Sequence, residues 1–513
     1  MQTSNYLFES ILVVSALIGV LASYLGLVRG KYNMALYLLV ISGLTLRILV
    51  SLWDPYLHDW DERFHALVAK NMLDSTFKPM LHINPLVNYN IGDWCCNHIW
   101  VHKQPLFLWQ IAASFKLFGV NTFALRIPSI LMGTLSIILV YSIAKAWFKD
   151  QNVAILAALF SAFSQFAIEL TSGRYSLDHN DMAFMFYVTC SIWALTKYNM
   201  TRSFFWAFVI GLFIGLAVLV KWLTGFITIG GMAILIIFQW KTNRSFSAWH
   251  LLVTFLTACV IFIPWQLYII NNFPIESHVS YEFNRRHIYE ALEGHSGTWL
   301  YHINNIEYLY GAYIPMFLLI GAFLIIYKFR HDFVSISMLC MTLVVYAFFS
   351  IIVQTKMPAF TFICSPIFYA IMAYGIAQVS YKFDKLNYSV SIIYVLTPLL
   401  IIFSLNPNDI CNYRSAENIA RNIKISNTEI YKNLASNYNI DKDIIFNCKE
   451  FEDIEVMFYN NVNAYSWYPD SITLSNLANQ GFSLYFFQDH AEYKLVPYIY
   501  NNSSYEILRY SLK

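Results

Sequence analysis

Three carboxylates, Asp59, Asp61 and Glu62, stand within four residues directly after an apolar run that ends at Trp53. An ionised carboxylate held near an attacking hydroxyl can take its proton, or can hold the group that attacks. Two further acids, Asp178 and Asp181, lie in a polar connector at 172–181. Three lysines complete the set: Lys103 just before Pro105, Lys221 inside the apolar stretch 211–237, and Lys356 just before Met357-Pro358. Fixed ammonium groups stabilise phosphate and the charge that grows on a departing phosphate.

Each of these residues also has a plain structural reading. Asp59 suits a helix N-cap with Glu62 in capping-box position, and acids there complement the helix dipole. That leaves Asp61 as a surplus carboxylate. Phe64, Leu67, Val68 and Met72 then form one apolar stripe. Lys103 reads equally as a lysine that snorkels to anchor the following helix. Lys221 is harder to dismiss, because an uncompensated lysine inside a membrane is costly. Arg47, two turns below the end of its run, reads as snorkelling outward.

The elements that position these groups follow from composition. Of the 513 residues, 58% are hydrophobic and 12% charged. Soluble domains carry roughly 25% charged residues, so the chain reads as a polytopic α-helical membrane protein. The net charge of +2, with no basic tract, gives no sign of a nucleic-acid partner. Apolar runs near 7–28, 33–53, 121–146, 152–171, 182–198, 203–220, 222–240, 250–270, 309–328, 333–353, 359–379 and 388–405 predict about twelve spans. The first run lacks a basic leader and a small-residue cleavage site, and reads as a span.

Basic residues fall in every second connection: Arg29 and Lys31, Lys145 and Lys149, Lys197 and Arg202, Lys241 and Arg244, Lys328 and Arg330, Lys382 and Lys385. The positive-inside rule puts these connections in the cytoplasm and both termini outside. The acid-bearing connections at 54–120 and 172–181 then lie outside, with 271–308 and 354–358. Pro105–Phe118 would break the alternation if it spanned, so it reads as a helix on the outer surface. The 271–308 loop adds Glu282, Arg285, Arg286 and His295 as candidates for an acceptor or a lipid headgroup.

The predicted organisation is a transmembrane domain over 1–405, with 54–120 as its first outer loop, and an extracytoplasmic α/β domain over 406–513. In the latter, 444–448, 464–467, 483–488 and 505–510 read as strands, and 429–438, 451–459 and 471–479 as helices. His98 and His102 stand four apart beside Cys95 and Cys96, which raises a metal. Adjacent cysteines suit one tetrahedral ion poorly, so a disulfide is preferred there, as it is for Cys411 with Cys448. No metal is assigned, with His98 and His102 as the weak candidates. No cofactor is predicted, and a divalent ion is left open.

Taken in order, Asp61-Glu62 with Ala66 and Asn71-Met72-Leu73, His102-Lys103-Gln104-Pro105-Leu106 with Trp109, Phe118-Gly119 then Arg126-Ile127-Pro128, Gly215-Leu216-Ala217 then Lys221, and Lys356-Met357-Pro358 then Pro366 form a set. This set resembles the GT-C glycosyltransferases of the dolichyl-phosphate-mannose protein mannosyltransferase-like group. In pattern it is nearest to the bacterial lipid A aminoarabinose transferases. The resemblance implies a GT-C fold, a polyprenyl-phosphate-linked sugar as donor, a lipid, glycan or protein as acceptor, and transfer on the outer face of a bacterial inner membrane.

It also implies Asp61 as the catalytic carboxylate with Glu62 as its partner, and Lys103, Lys221 and Lys356 as lysines that meet the lipid phosphate. Gln104 replaces the first proline of the family's Lys-Pro-Pro, Phe64 replaces an arginine, and His102 replaces a glutamate implicated in metal binding. Asp178 and Asp181 remain alternative acids. Competing readings are a transporter or flippase for lipid-linked sugars, and a non-catalytic membrane subunit. The first would favour inverted repeats and charges at the midplane; the acids here cluster outside the spans.

Overall fold

The computed structural model describes residues 2–175, 179–221, 223–240, 248–329, 332–384, 389–434, 438–490 and 494–512. Asp178 lies outside the described residues, as do Lys241, Arg244, Arg330 and Lys385. The chain divides into two compact units. Met1–Trp53, Lys103–Phe107 and Pro128–Cys411 form the first; Asp54–His102, Leu108–Ile127 and Asn412–Lys513 form the second. The sequence reading cuts the chain once, near Asn406, whereas the contacts unite most of the 54–120 stretch with the C-terminal segment.

The first unit is a helical membrane body. Long apolar runs become helices because a helix satisfies its own backbone where no water can. Among the described residues, eight helices are long and apolar enough to cross a membrane: Tyr6–Val28, Tyr32–Trp53, Thr122–Phe148, Gln151–Ser172, Phe204–Lys221, Ala248–Asn272, Phe333–Ile352 and Pro358–Lys382. The other four apolar runs give the mixed-polarity Asp181–Thr201 helix and the Ile227–Trp240, Pro315–Lys328 and Ser389–Leu405 helices of 14, 14 and 17 residues. Phe204–Lys221 packs on Ala248–Asn272 through Gly211 and Gly215, where a Cβ would press on the Thr254 carbonyl and lie 2.6 Å from Ile261. Small residues of this kind let helix backbones approach closely in a membrane.

One break in this body explains a buried charge. The run at 152–171 folds as two helices, Gln151–Phe163 and Gln165–Ser172, because Ser164 turns extended (ψ 110°) and caps the second through its hydroxyl. The break takes the Ser161 and Ala162 carbonyls out of the helical hydrogen-bond ladder. Arg47 takes them up, donating to the Ser161 carbonyl at 3.1 Å and the Ala162 carbonyl at 3.3 Å, and to its own Gly43 carbonyl at 2.9 Å. Arg47 is therefore buried among carbonyls and does not snorkel.

The second unit contains a parallel four-stranded sheet: β1 (Asp443–Phe446), β2 (Asn463–Ala464), β3 (Ser483–Phe487) and β4 (Tyr505–Leu508), in the order β2-β1-β3-β4. Parallel neighbours need crossovers, supplied by the Asp453–Tyr459, Ser471–Asn479 and Pro497–Asn501 helices. β1 lies inside the sheet and is buried along its whole length. Its core joins Ile444, Phe446, Leu484 and Phe486 to Val87, which the 54–102 stretch contributes. The helix expected over 429–438 lies earlier, at Ile419–Lys432, with Asn418 as its cap. Residues 435–437 lie outside the described residues.

Candidate active site

In the second unit the Asp61–Asn71 helix carries the acid motif, and every residue in it except Lys70 is buried. It is thus buried on all faces, not along a single stripe. Lys70 donates to the Met457, Phe458 and Asn460 carbonyls at 2.7, 3.0 and 3.3 Å, at the end of the Asp453–Tyr459 helix. A cation there complements the helix dipole. The helix begins after Trp60, which takes φ 58° and ψ −131°. A non-glycine residue in that region carries roughly 1–3 kcal/mol of strain. The Trp60 ring lies 4.9 Å from that of Phe451.

The expected capping box is not formed. The N-cap is Trp60, and no side chain caps the helix. Asp59 pairs instead with Arg63 at 3.0 Å and with Lys424. Glu62 is fully buried and held by two Arg126 bonds, from Nε at 2.8 Å and from Nη2 at 3.1 Å. Glu62 also accepts the His58 backbone N–H at 2.6 Å. Arg126 donates further to the Asp54 and Tyr56 carbonyls at 2.6 and 2.8 Å. Burying such a pair is tolerable only with this full set of partners.

Asp54 completes the cluster, with Arg414 at 2.7 Å, His58 at 3.4 Å and Arg421 at 3.5 Å. Burial would raise its pKa, but Arg414, His58 and Arg126 outweigh that and hold it well below the usual carboxylate range. Burial keeps the His58 imidazole below its ordinary value. Glu62 and Asp54 thus act as anchors that fix the entry to the helix. Asp61, 4% exposed, is the first helical residue beyond them.

The first unit gathers a different set. Asp181 opens the Asp181–Thr201 helix and Lys221 ends the Phe204–Lys221 helix. Lys221 Nζ donates to both Asp181 carboxylate oxygens, at 2.8 and 2.6 Å. It also lies 5.4 Å from the centre of the Phe360 ring. The sequence puts Lys221 in an unbroken apolar run; the structure puts it at a helix end, where the chain turns into the Leu223–Phe226 3₁₀ segment. Lys103 is half-buried. Burial lowers the His287 pKa; the hydrogen bond to the Phe283 carbonyl and the charge of Glu293 oppose this, and Lys103 and Lys221 add smaller lowering effects. Both ammonium groups therefore bear on one imidazole.

Lys356 behaves otherwise. Its ammonium is buried and donates to the Phe349 carbonyl at 2.8 Å, the Ser350 carbonyl at 2.9 Å and the Val353 carbonyl. These carbonyls close the Phe348–Ile352 π-helical turn. In this conformation Lys356 is a helix-end cap, not an open cation. His302, fully buried, is pushed down to about 4 by burial and by Lys356.

The 271–308 stretch is not a loop, because the Pro274–Tyr289 helix occupies much of it. Glu282 pairs with Arg285 at 2.8 Å and Arg286 with Glu290 at 2.7 Å along its exposed face, pairs that solvent screens. The half-buried His295 gives its carbonyl to the Lys356 backbone N–H at 2.9 Å. Sequence reasoning passed over Glu169, which is fully buried and paired with Arg174 at 3.2 Å; Arg174 also holds Asp409 at 2.6 Å. A carboxylate inside the 152–171 apolar run was the available signal.

None of the eight cysteines is in a disulfide, so neither expected bridge is formed. His102 stacks on Trp94 with ring centroids 4.4 Å apart. Among the described residues, the His, Cys, Asp and Glu ligand atoms that come together as a group of three belong to Asp93, Cys95 and Cys96, and neither His98 nor His102 is in that group.

Comparison with known proteins places this geometry. Residues 78–279 match the family described as dolichyl-phosphate-mannose-protein mannosyltransferase. The undecaprenyl phosphate-alpha-4-amino-4-deoxy-L-arabinose arabinosyl transferase 2 of Proteus mirabilis is 28% identical over 327 residues, which cover 60% of this chain and 52% of that protein. The match thus spans about half the length of that relative. The crystal structure of ArnT from Cupriavidus metallidurans bound to undecaprenyl phosphate superposes with a TM-score of 0.62 at 14% identity, covering 86% of this chain and 87% of that one. The apo oligosaccharyltransferase of Archaeoglobus fulgidus gives 0.54 at 12% identity, over 86% and 68%. These likenesses show a GT-C fold with a small C-terminal sheet.

Proposed function

We propose that this GT-C membrane protein, which resembles the aminoarabinose transferases, moves a sugar from a polyprenyl-phosphate donor to a lipid, glycan or protein acceptor. The transfer takes place on the extracytoplasmic face of a bacterial inner membrane. The observation that carries this reading is the Lys221 ammonium held by both Asp181 carboxylate oxygens at the end of its helix, with the charge of Lys103 felt at the same His287 imidazole as that of Lys221. A cation at the polar end of a membrane helix and another just before a short apolar helix suit a phosphate that arrives on a lipid. The names of the similar proteins support the same donor class.

The chemistry follows from charge. The acceptor oxygen attacks the anomeric carbon as the bond from that carbon to the phosphate oxygen breaks. The bonding pair leaves with the phosphate, where Lys103 and Lys221 stabilise it. Asp61 is assigned the acceptor proton, with Asp181 as the alternative acid. A phosphate acceptor would need no base, and Asp61 would then orient it. One displacement inverts the anomeric centre. Lys356 contributes by holding the segment that carries it, and Glu62 by holding the start of the Asp61 helix.

The test is transfer by the purified chain from synthetic polyprenyl-phosphate sugars to lipid A, glycan and peptide acceptors. Release of free polyprenyl phosphate with an inverted product is expected. Movement of the donor across vesicles without transfer to any acceptor would overturn the reading in favour of a flippase.

A further inference from the structure

Cys95 and Cys96 are adjacent in sequence, and their sulfurs lie 3.9 Å apart. A disulfide would need about 2.05 Å. Two zinc–sulfur bonds of about 2.3 Å at a tetrahedral angle put sulfurs about 3.8 Å apart. The observed spacing fits two ligands of one tetrahedral ion. Asp93 belongs to the same group: its Oδ1 accepts a hydrogen bond from the Cys95 thiol at 2.8 Å, and one ligand atom from each of the three residues falls within 4.8 Å of the others.

An independent observation points into the same place. Cys95 and Cys96 line a cavity of about 260 Å³ together with His82 and Asp453. His82 is 8% exposed, and its Nδ1 has no hydrogen-bond partner. Its ring is fixed by stacking on Tyr465 at 5.1 Å. A buried imidazole nitrogen without a partner is costly.

We propose that Asp93, Cys95 and Cys96 form a binding site for a thiophilic divalent cation of the zinc class, in a cavity that His82 also lines. Two thiolates and a carboxylate make a zinc-type donor set, not a calcium or magnesium one. As the two metal–sulfur bonds form, the two thiol protons pass to solvent. The cavity walls come from 82–96 and from 451–467, both in the second unit. The proposed ligands all come from the first-loop segment, so zinc would tie that segment to itself on the wall of the cavity. None of these residues is assigned a part in the proposed transfer chemistry.

The test uses the full chain in detergent, stripped of metal, reduced with a phosphine and titrated with Co²⁺ and then Zn²⁺. One equivalent per chain is expected, with a thiolate-to-cobalt charge-transfer band that zinc displaces. Cys95→Ser and Cys96→Ser should each lower affinity at least about tenfold and remove the band, while His98→Ala and His102→Ala leave both unchanged. Because a serine variant could misfold, zinc protection of Cys95 and Cys96 from alkylation is also read on the natural chain by mass spectrometry. Full alkylation in saturating zinc would overturn the proposal. So would undiminished binding by a folded Cys95→Ser/Cys96→Ser variant, or recovery of the chain from cells with the two cysteines joined as a disulfide.

Discussion

Lys221 Nζ sits between both carboxylate oxygens of Asp181, at 2.8 and 2.6 Å, with Asp181 only 3% exposed. One residue starts a helix and the other ends the next, so the pair fixes two chain reversals as well as a charge. Lys221→Ala leaves a buried carboxylate unpaired and should cost roughly 3 kcal/mol of stability. The exchanged pair Asp181→Lys/Lys221→Asp should recover much of that stability, read by thermal unfolding in detergent. It should not recover affinity for a polyprenyl-phosphate donor, because the cation has moved. Recovery of both would make the pair purely structural.

Glu62 and Arg126 predict the opposite division. Their paired bonds lie in a fully buried cluster, so Glu62→Gln should destabilise by about 3–5 kcal/mol. Turnover per folded molecule should fall only slightly. Unfolding and specific activity measured on one preparation separate the two effects. A large loss of turnover at unchanged stability would put Glu62 in the chemistry after all.

His302 gives a pH dependence with a definite sign. Its folded pKa is about 4 against an ordinary 6.5, because burial and Lys356 disfavour the imidazolium. Above pH 6.5 both folded and unfolded states are neutral there. Between 6.5 and 4 the unfolded chain takes a proton that the folded one refuses, so stability falls as pH falls. Thermal midpoints should decline from pH 7 towards pH 4.5, and His302→Gln should flatten part of that decline. An unchanged slope would remove His302 as its source.

The sequence made some of this legible and hid the rest for physical reasons. Span positions could be read because a helix of sufficient apolar length satisfies its own backbone. The Ser471–Asn479 helix and β3 lie where local pattern puts them, since propensity and hydrophobic period agree there. Partners were hidden. Glu62 finds Arg126 64 residues away, and Lys221 finds Asp181 40 away; neither follows from local pattern. The Ser164 break, which sets the partners of Arg47, is a one-residue event inside an apolar run. The 271–308 stretch looked like a loop because its charges alternate, yet those charges form helical pairs.

Val87 tests how the second unit is assembled. It lies 6% exposed in the core of the sheet, although it precedes β1 by several hundred residues. Val87→Ala should cost about 2 kcal/mol through lost burial and the cavity it leaves. The segment from Asn406 expressed alone lacks Val87, and its Arg414 loses Asp54. It should therefore show poor dispersion by NMR and bind a hydrophobic dye. A cooperative, well-dispersed fold for that fragment would make the first-loop contribution dispensable.

Asp61 and Lys103 carry the sharpest prediction. Asp61 starts its helix behind a strained Trp60, and neither it nor its neighbours form the expected cap, so removing its charge should cost stability only about 1–2 kcal/mol. As the acceptor of a proton it should matter far more: Asp61→Asn should lower the transfer rate about a hundredfold or more. KM for the donor should stay near its original value, because the lipid phosphate meets lysine. Lys103→Ala should show the converse pattern, a raised donor KM with a smaller fall in kcat. His287, whose pKa Lys103 depresses, should titrate higher in that variant. Transfer kinetics give the first pair of readings and NMR of labelled histidine gives the last. Near-normal turnover by Asp61→Asn would transfer the base role to Asp181, where Asp181→Asn would then have to show the missing rate loss.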